Sequence, residues 1–225
     1  MAGRLTKSDL RDSKMHDVVE IPSTSDAAVD RMLCGLSMIT SEHTLTETEA
    51  KYLRDLAGLI GRACKWCELG VWCGRSLWAA ACGAWPDSRL YGIDTFEGRT
   101  ARSQTDQTII QCAPDGLFQW DLAYAVQNLI NRQTDCCCTL IAGRSASPLK
   151  QIGDQTLDVL IVDADHRYES VRADLTAWLP KLRPGGLILG HDYTDHHPGV
   201  IRAFQERFGS NCETVDGTRY VQVYV

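Results

Sequence analysis

Residues 68–76, ELGVWCGRS, decide the fold, because they lie between a short apolar run and a segment with helical periodicity. Gly70 and Gly74 allow the backbone to leave a strand in a tight turn and to approach a ligand closely. Ser76 stands where the next helix begins, so the loop turns unpaired N–H groups and the positive end of a helix towards an anionic group, here a carboxylate rather than a phosphate. Such a turn is common in α/β proteins, so the loop alone does not identify its ligand.

Outward from this loop, short β-rich runs alternate with longer helical runs, which is typical of a mostly parallel sheet with helices on both faces. At the C-terminus, residues 212–225 contain two short β segments around an Asp216-Gly217 turn, which predicts an antiparallel hairpin. The sequence therefore predicts a Rossmann-like α/β fold with a seven-stranded, mostly parallel sheet. The other strand candidates are residues 64–70, 89–94, 138–143, 158–164 and 185–193, and the helix candidates are 75–85, 121–132, 145–152, 168–182 and 199–208.

The segments before the loop predict a polar arm followed by two helices. Residues 1–25 are polar and are interpreted as an N-terminal arm, and residues 26–225 are expected to form a single domain. Within this domain, residues 26–62 are the leading helices, since apolar residues recur at helical spacing in 26–39 and 46–62. Thr46 and Glu49 form a candidate capping box at the start of the second.

The segment 96–120 is long and polar for a plain connection and is predicted to be a substrate lid. Arg99, Arg102 and Trp120 in it could clamp an anionic or cyclic substrate, whereas solvated loop charges are the alternative for both arginines.

Composition excludes several classes of function. The chain has 225 residues, 44% of them hydrophobic, with a net charge of -6 and a pI near 5.5. Without a Lys/Arg run it is expected to bind neither nucleic acid nor a membrane, so a small-molecule partner is favoured. No apolar stretch is long enough for a membrane span and the start does not resemble a signal peptide, so a cytoplasmic location is expected. A homo-oligomer is compatible with the sequence, which does not fix the oligomeric state.

Ten cysteines raise the alternatives of disulfides or zinc. Cys64 and Cys67 have ligand spacing, but Cys67 lies in an apolar strand candidate, Cys137 shares the run CCCTLIAG of residues 136–143, and no Cys/His pair follows at finger-like spacing. Buried free thiols are the favoured interpretation.

Candidate ligand contacts come from the strand ends, because ligands of such sheets bind at the carboxyl ends of the strands. The first strand ends at Glu68. The second ends at Asp94, twenty-four residues after Gly70, where a carboxylate could accept two hydrogen bonds from a ribose diol. A helix cap or turn residue is the alternative for Asp94. After the third strand, Arg144 and Ser145 form either a capped turn or a contact to adenine.

Titratable groups concentrate where the fourth and fifth strands end. Asp163, Asp165 and His166 follow the fourth strand, and His191 and Asp192 follow the fifth. In a sheet of this order the two ends are neighbours, so Asp163, His191 and Asp192 could converge as ligands of a divalent cation. This set suits Mn, Fe or Zn better than Mg or Ca. Alternatively, His191 and Asp192 bond neighbouring loops.

Together, residues 68–76, 91–98, 157–193 and the terminal hairpin resemble the class I S-adenosylmethionine-dependent methyltransferases, notably the small-molecule O-methyltransferase-like branch, over residues 45–225. The resemblance implies S-adenosylmethionine as cofactor, with its amino-acid half in the glycine loop and its ribose on the acid that matches Asp94. The residues predicted to bind the cofactor are Glu68, Gly70, Trp72, Gly74, Ser76, Asp94, Thr95, Arg144, Ser145 and Asp163.

For catalysis, the resemblance implies Asp163 as the fourth-strand acid of metal-dependent members, with His191 and Asp192 as their paired ligands. Catechol-type relatives carry two oxygen ligands at the pair, and the histidine in its first position leaves open whether Mg, Mn or another divalent cation binds. His166 offers a route without metal, as general base for a substrate hydroxyl, while a structural histidine is the alternative.

The expected function is transfer of a methyl group from S-adenosylmethionine to a hydroxyl of a small molecule, such as a sugar or a phenolic natural product. An NAD(P)-binding Rossmann oxidoreductase is one alternative, opposed by the Gly-x-x-x-Gly spacing of the loop and by the hairpin. The other is a module that binds S-adenosylmethionine without catalysis.

Overall fold

The computed structural model describes residues 45–96 and 119–225. The predicted arm, the helix candidate 26–39 and the lid residues Arg99 and Arg102 lie outside these residues, while Trp120 lies in the first turn of a helix. The helices are α1 (Glu47–Ile60), α2 (Arg75–Gly83), α3 (Gln119–Gln133), α4 (Tyr168–Trp178) and α5 (Pro198–Phe208). The strands are β1 (Lys65–Leu69), β2 (Arg89–Asp94), β3 (Cys137–Ala142), β4 (Leu157–Val162), β5 (Leu182–Gly190), β6 (Glu213–Thr214) and β7 (Val221–Tyr224).

The strands form a single seven-stranded sheet in the order β3-β2-β1-β4-β5-β7-β6. Neighbours from β3 to β5 are parallel, and β7 is antiparallel to both β5 and β6. This confirms the predicted parallel sheet and its antiparallel C-terminal hairpin. The strand order reverses between β1 and β4, so a ligand crevice is expected where these two strands end.

Helices cover both faces of the sheet because side chains alternate along each buried strand. Trp66 and Ile161 face the cluster formed with α1, α2 and α3. Cys67 and Leu160 face the other cluster, formed with α4 and α5. Burial of these side chains stabilises the fold by about 25 cal/mol for each Å² of apolar surface removed from water. No helix among the described residues is long and apolar enough to cross a membrane.

Two elements end as the local sequence signals predict. Thr46 and Glu49 make both hydrogen bonds of the predicted capping box at the start of α1. Gly217, in the predicted hairpin turn, has φ +73°, and Thr218 N donates to Val215 O at 3.1 Å.

Three expectations require correction. Residues 145–152 form only a short 3-10 turn, Leu149–Gln151, because Pro148 disfavours the α conformation of the residue before it, Ser147. Strand β5 starts at Leu182 rather than at residue 185, because Leu182 pairs with Leu157 before the register shifts. Cys137 is exposed at the sheet edge, although five of the other described cysteines are buried: Cys64, Cys67, Cys73, Cys136 and Cys138.

Candidate active site

The glycine loop joins β1 to α2 and lies against the backbone that follows β4. Gly70 has φ +88°, and a Cβ at this position would lie 2.1 Å from the carbonyl oxygen of Asp163. Only glycine permits this approach. Gly74, with φ +82°, is the N-cap of α2 and provides no side-chain cap. The loop therefore brings an uncapped helix start to the crevice between β1 and β4.

Asp94, at the end of β2, is bonded to this loop. One carboxylate oxygen accepts from the backbone N–H groups of Val71 at 2.9 Å and Trp72 at 2.8 Å. The other accepts from Phe96 N at 2.9 Å. Asp94 thus holds the loop in shape, a role that spacing alone did not indicate. Its predicted contact to a ribose stays a prediction, as does that of the exposed Thr95 beside it.

Glu68 is buried beneath the loop. The Ser76 hydroxyl turns inward and donates to one of its oxygens, while the other has no hydrogen-bond partner among the described residues. Burial raises the pKa of Glu68 to about 8, although the Ser76 bond opposes this effect. The start of α2 thus offers backbone N–H donors to an anionic group, while Glu68 lies buried beneath the loop.

The segment after β3 lies at the same edge of the sheet, because Asp94 and Ala142 pair in register. Arg144 is exposed there. The Ser145 hydroxyl donates to Asp174 of α4 at 2.5 Å, which corrects the interpretation of Ser145 as a helix cap. The cofactor contacts predicted for Arg144 and Ser145 stay predictions.

The structure places His191 in a buried position between two carboxylates. Its side chain is 3% exposed, and its Nε2 lies 3.3 Å from Glu49 Oε1 and its Nδ1 3.2 Å from Asp163 Oδ2. The ring packs on Tyr220, with centroids 4.6 Å apart. Burial alone would lower the pKa of His191, but the charge of Asp163 and the contact with Glu49 raise it to about 10.

Glu49 and Arg219 belong to this site and were not found as site residues from the sequence. Glu49 is fully buried, and its carboxylate accepts from Arg219 N and Nε at 2.9 Å and from Nη2 at 2.8 Å. Nη1 of Arg219 donates to Asp192 Oδ1 at 2.9 Å. In the sequence, Glu49 is accounted for by the capping box with Thr46, so its position gives no separate indication of a role in the site. The position of Arg219 follows only from the pairing of Gly190 with Val221, which brings the hairpin beside Asp192.

His166 lies on the outer side of the same carboxylates. Its Nε2 is 3.1 Å from Asp192 Oδ2 and 3.5 Å from Asp163 Oδ1. Its ring packs on His197, a further residue that sequence reasoning missed, with centroids 4.4 Å apart. Burial alone would lower the pKa of His166, but the contacts with Asp163 and Asp192 raise it to about 9.

Gly199 explains how His197 reaches His166. A Cβ on Gly199 would lie 2.5 Å from the carbonyl oxygen of His166 and 2.6 Å from Tyr168 N. The absence of a side chain lets the first turn of α5 pack directly on the backbone that carries His166.

The predicted set Asp163, His191 and Asp192 does converge, with ligand atoms within 4.8 Å of one another. Burial would raise the pKa of Asp163, but His191 and His166 together hold it well below its usual range. The pKa of Asp192 is also lowered, because His166 and His191 outweigh the effect of burial. The cluster therefore alternates three carboxylates with three cationic side chains: Glu49, Asp163 and Asp192 with Arg219, His191 and His166.

The comparison with protein families gives one match that covers more than half of the 225 residues. A family model described as a methyltransferase domain matches residues 67–193. Among curated proteins, the uncharacterised protein y4gI of Sinorhizobium fredii is 46% identical over 60 residues, which cover 26% of this chain and 7% of that protein. The chain thus matches a small part of that relative's length.

Solved structures share the fold across most of the chain. A putative O-methyltransferase from Klebsiella pneumoniae is similar over 88% of this chain and 89% of its own, with a TM-score of 0.59 and 21% identity. An O-methyltransferase from Bacillus cereus, in complex with SAH, is similar over 92% of this chain and 94% of its own, with a TM-score of 0.59 and 19% identity.

Proposed function

We propose that this chain, which belongs to the methyltransferase-domain family that matches residues 67–193, is a class I S-adenosylmethionine-dependent methyltransferase whose acceptor is a hydroxyl of a small molecule. The observation that carries this proposal is His166, whose Nε2 lies 3.1 Å from Asp192 Oδ2 and 3.5 Å from Asp163 Oδ1, since the backbone of Asp163 also lies against Gly70 of the glycine loop. The O-methyltransferases among the similar structures support the same acceptor chemistry.

The glycine loop suits the amino-acid half of S-adenosylmethionine. The uncapped start of α2 can receive the carboxylate of this half. Asp94 holds the loop in shape, and its contact to the ribose of the cofactor is part of the proposal. When bound, this cofactor supplies an electrophilic methyl group on a sulfonium.

In the proposed mechanism, His166 removes the proton of the acceptor hydroxyl when its ring is neutral, a state whose population grows as the pH rises towards the raised pKa of about 9. Asp163 and Asp192 fix the orientation of the ring and stabilise the imidazolium that forms when His166 takes the proton. Asp163 follows directly after β4 and touches Gly70, so the base is held beside the cofactor loop. Alignment and proton removal are the contributions required of the chain.

A divalent cation at Asp163, His191 and Asp192 is the second component that the sequence predicts. These residues fit a cation poorly in their present arrangement. Both nitrogens of His191 face carboxylates, and Arg219 already binds the Asp192 oxygen on the His191 side. A ligating histidine needs an unprotonated nitrogen directed at the metal. No step of the mechanism is therefore assigned to a metal.

A comparison of His166→Asn with His196→Asn tests the base. His196 is the exposed neighbour of His197 and serves as a matched control. We expect His166→Asn to lower kcat by about 10²–10⁴-fold while S-adenosylhomocysteine binds as before, because the residue acts in proton transfer. His196→Asn should leave both quantities unchanged. Equal kcat values for His166→Asn and the wild type would exclude His166 as the base.

The acceptor class is tested with a panel of phenols and sugars, each paired with an analogue that carries an amine in place of the hydroxyl. Release of S-adenosylhomocysteine is the readout. Turnover with hydroxyl acceptors alone supports the proposal. Turnover with the amines alone would contradict the hydroxyl assignment, and binding without any turnover would favour a non-catalytic module.

A further inference from the structure

We propose that Arg219, held in place by Glu49, takes the position of the divalent cation that the metal-dependent relatives imply, so that this site excludes divalent ions. The catalytic consequence of this inference rests on the proposed function. The exclusion of metal does not, because it can be measured without cofactor or acceptor.

The first support is the geometry of Arg219. Its guanidinium binds two carboxylates at once, with Nη2 2.8 Å from Glu49 Oε2 and Nη1 2.9 Å from Asp192 Oδ1. A guanidinium is always charged and its planar fork fits carboxylates, so Arg219 is a permanent cation in a fixed position. It therefore supplies Asp192 with the neutralising charge that a metal would otherwise provide.

The second support is the oxygen of Asp192 to which Arg219 donates. Arg219 contacts Oδ1 of Asp192, which is also the oxygen nearest His191 Nδ1, at 3.7 Å. A divalent ion bound to this oxygen would lie within about 5 Å of the guanidinium, given metal–oxygen distances near 2 Å. At this short distance, two positive charges in a partly buried site repel each other strongly. Arg219 and a divalent ion therefore compete for the same position.

The third support is the anchor of the arginine. Glu49 is 0% exposed and accepts three hydrogen bonds from Arg219, one of them from its backbone N–H. A buried carboxylate stripped of its partner is costly, so Glu49 and Arg219 hold each other in the site. Glu49 also lies 3.3 Å from His191 Nε2, so this nitrogen of the histidine belongs to the same network.

The position of this pair in the chain explains why the motifs alone suggested a metal. Glu49 comes from α1 and Arg219 from the turn before β7, and both lie outside residues 67–193, which match the family model. The matched segment carries the three candidate ligands, whereas the competing cation arrives from the two flanking segments.

Manganese binding is the direct test. Free Mn²⁺ is followed by electron paramagnetic resonance as it is titrated into the wild type, into Arg219→Gln, and into the double variant Glu49→Gln/Arg219→Gln. The double variant removes the carboxylate that Arg219→Gln alone would leave buried and unpaired, so it keeps the test valid if the single variant does not fold. Arg219→Lys is the matched control, because it retains the positive charge.

The expected result is no site-specific Mn²⁺ binding by the wild type or by Arg219→Lys. The double variant should bind one ion at least about tenfold more tightly than the wild type does. Addition of Asp163→Asn to the double variant should abolish this binding. Wild-type binding that Asp163→Asn removes would overturn the inference. A double variant that binds no more tightly than the wild type would also overturn it, because Arg219 would then not be what keeps the ion out.

The separate consequence for catalysis is that turnover should not change when a chelator is added. A loss of turnover in chelator would contradict the inference but not the methyltransferase assignment, so the two failures are distinguishable.

Discussion

At the scale of single residues, burial controls the protonation of Glu68. The carboxyl group lies beneath the glycine loop with Ser76 as its partner, and burial raises its pKa from about 4.5 to about 8. In the unfolded chain the carboxyl group ionises near pH 4.5. Between pH 4.5 and about pH 8, Glu68 in the folded protein therefore keeps a proton that it loses in the unfolded chain. Stability from this group is therefore fully present below pH 4.5 and is lost as the pH rises to about 8.

Glu68→Gln should remove this pH dependence, because an amide retains the shape but does not ionise. At about 1.4 kcal/mol for each pH unit between the two pKa values, the wild type should lose on the order of 4 kcal/mol between pH 5 and pH 8. The variant should lose that much less. Denaturant unfolding of both proteins at the two pH values measures this difference. An equal loss of stability in the wild type and the variant would show that Glu68 is already ionised in the folded protein.

Residue identities at the strand ends could be read from the sequence, whereas their partners could not. Asp163, His191 and Asp192 were predicted to converge and they do. Arg219 was not predicted, because an arginine after a turn is usually a solvated charge, and only the strand register places it beside Asp192. Long-range partners of this kind depend on the tertiary fold.

At the scale of elements, Asp94 connects β2 to the glycine loop. Asp94→Asn replaces one of the two accepting oxygens by an amide donor, which cannot accept from backbone N–H groups. We expect a loss of about 1–3 kcal/mol in stability and weaker binding of S-adenosylhomocysteine. Asp154→Asn is a suitable control, because Asp154 is an exposed carboxylate paired with Lys181. Calorimetry and thermal unfolding provide the measurements, and equal effects of both variants would contradict this role of Asp94.

The start of α5 depends on close approach rather than on helix propensity. Alanine is favoured over glycine in helices by about 1 kcal/mol, yet at Gly199 its Cβ would meet the backbone of His166 and Tyr168. Gly199→Ala should therefore destabilise the protein by about 1–3 kcal/mol and shift the ring resonances of His166 and His197 in NMR spectra. Increased stability with unchanged resonances would show that α5 does not need this contact.

Element boundaries were predictable where the local signals agreed. Strand β2 was predicted at its observed residues, because an apolar run ends sharply at Asp94. The helix predicted over residues 145–152 is a short 3-10 turn, because Pro148 disfavours the α conformation of Ser147 and this outweighs the helical spacing of the apolar residues.

At the scale of the whole molecule, the hairpin and the strand order distinguish a methyltransferase sheet from a dinucleotide-binding one. The order β3-β2-β1-β4-β5-β7-β6 ends in antiparallel strands, as the C-terminal sequence indicated. Overall topology was therefore readable from the alternation of elements. The acceptor was not readable, because substrate contacts depend on side chains that several distant segments bring together.

S-adenosylmethionine and S-adenosylhomocysteine should raise the melting temperature, and NAD should not. A ligand at one hundred times its dissociation constant adds about 2.7 kcal/mol to the stability of the folded state. Thermal unfolding with each ligand in turn measures this effect. Stabilisation by NAD alone would contradict the assignment of the cofactor.

The most direct test follows the methyl group itself. The protein is incubated with S-adenosylmethionine carrying a ¹³C-labelled methyl group and with the hydroxyl acceptors of the panel, and the product is analysed by NMR. We predict a labelled methyl group on oxygen, formed together with S-adenosylhomocysteine and lost in His166→Asn but not in His196→Asn. A label on nitrogen or carbon, or formation at the wild-type rate by His166→Asn, would contradict the account.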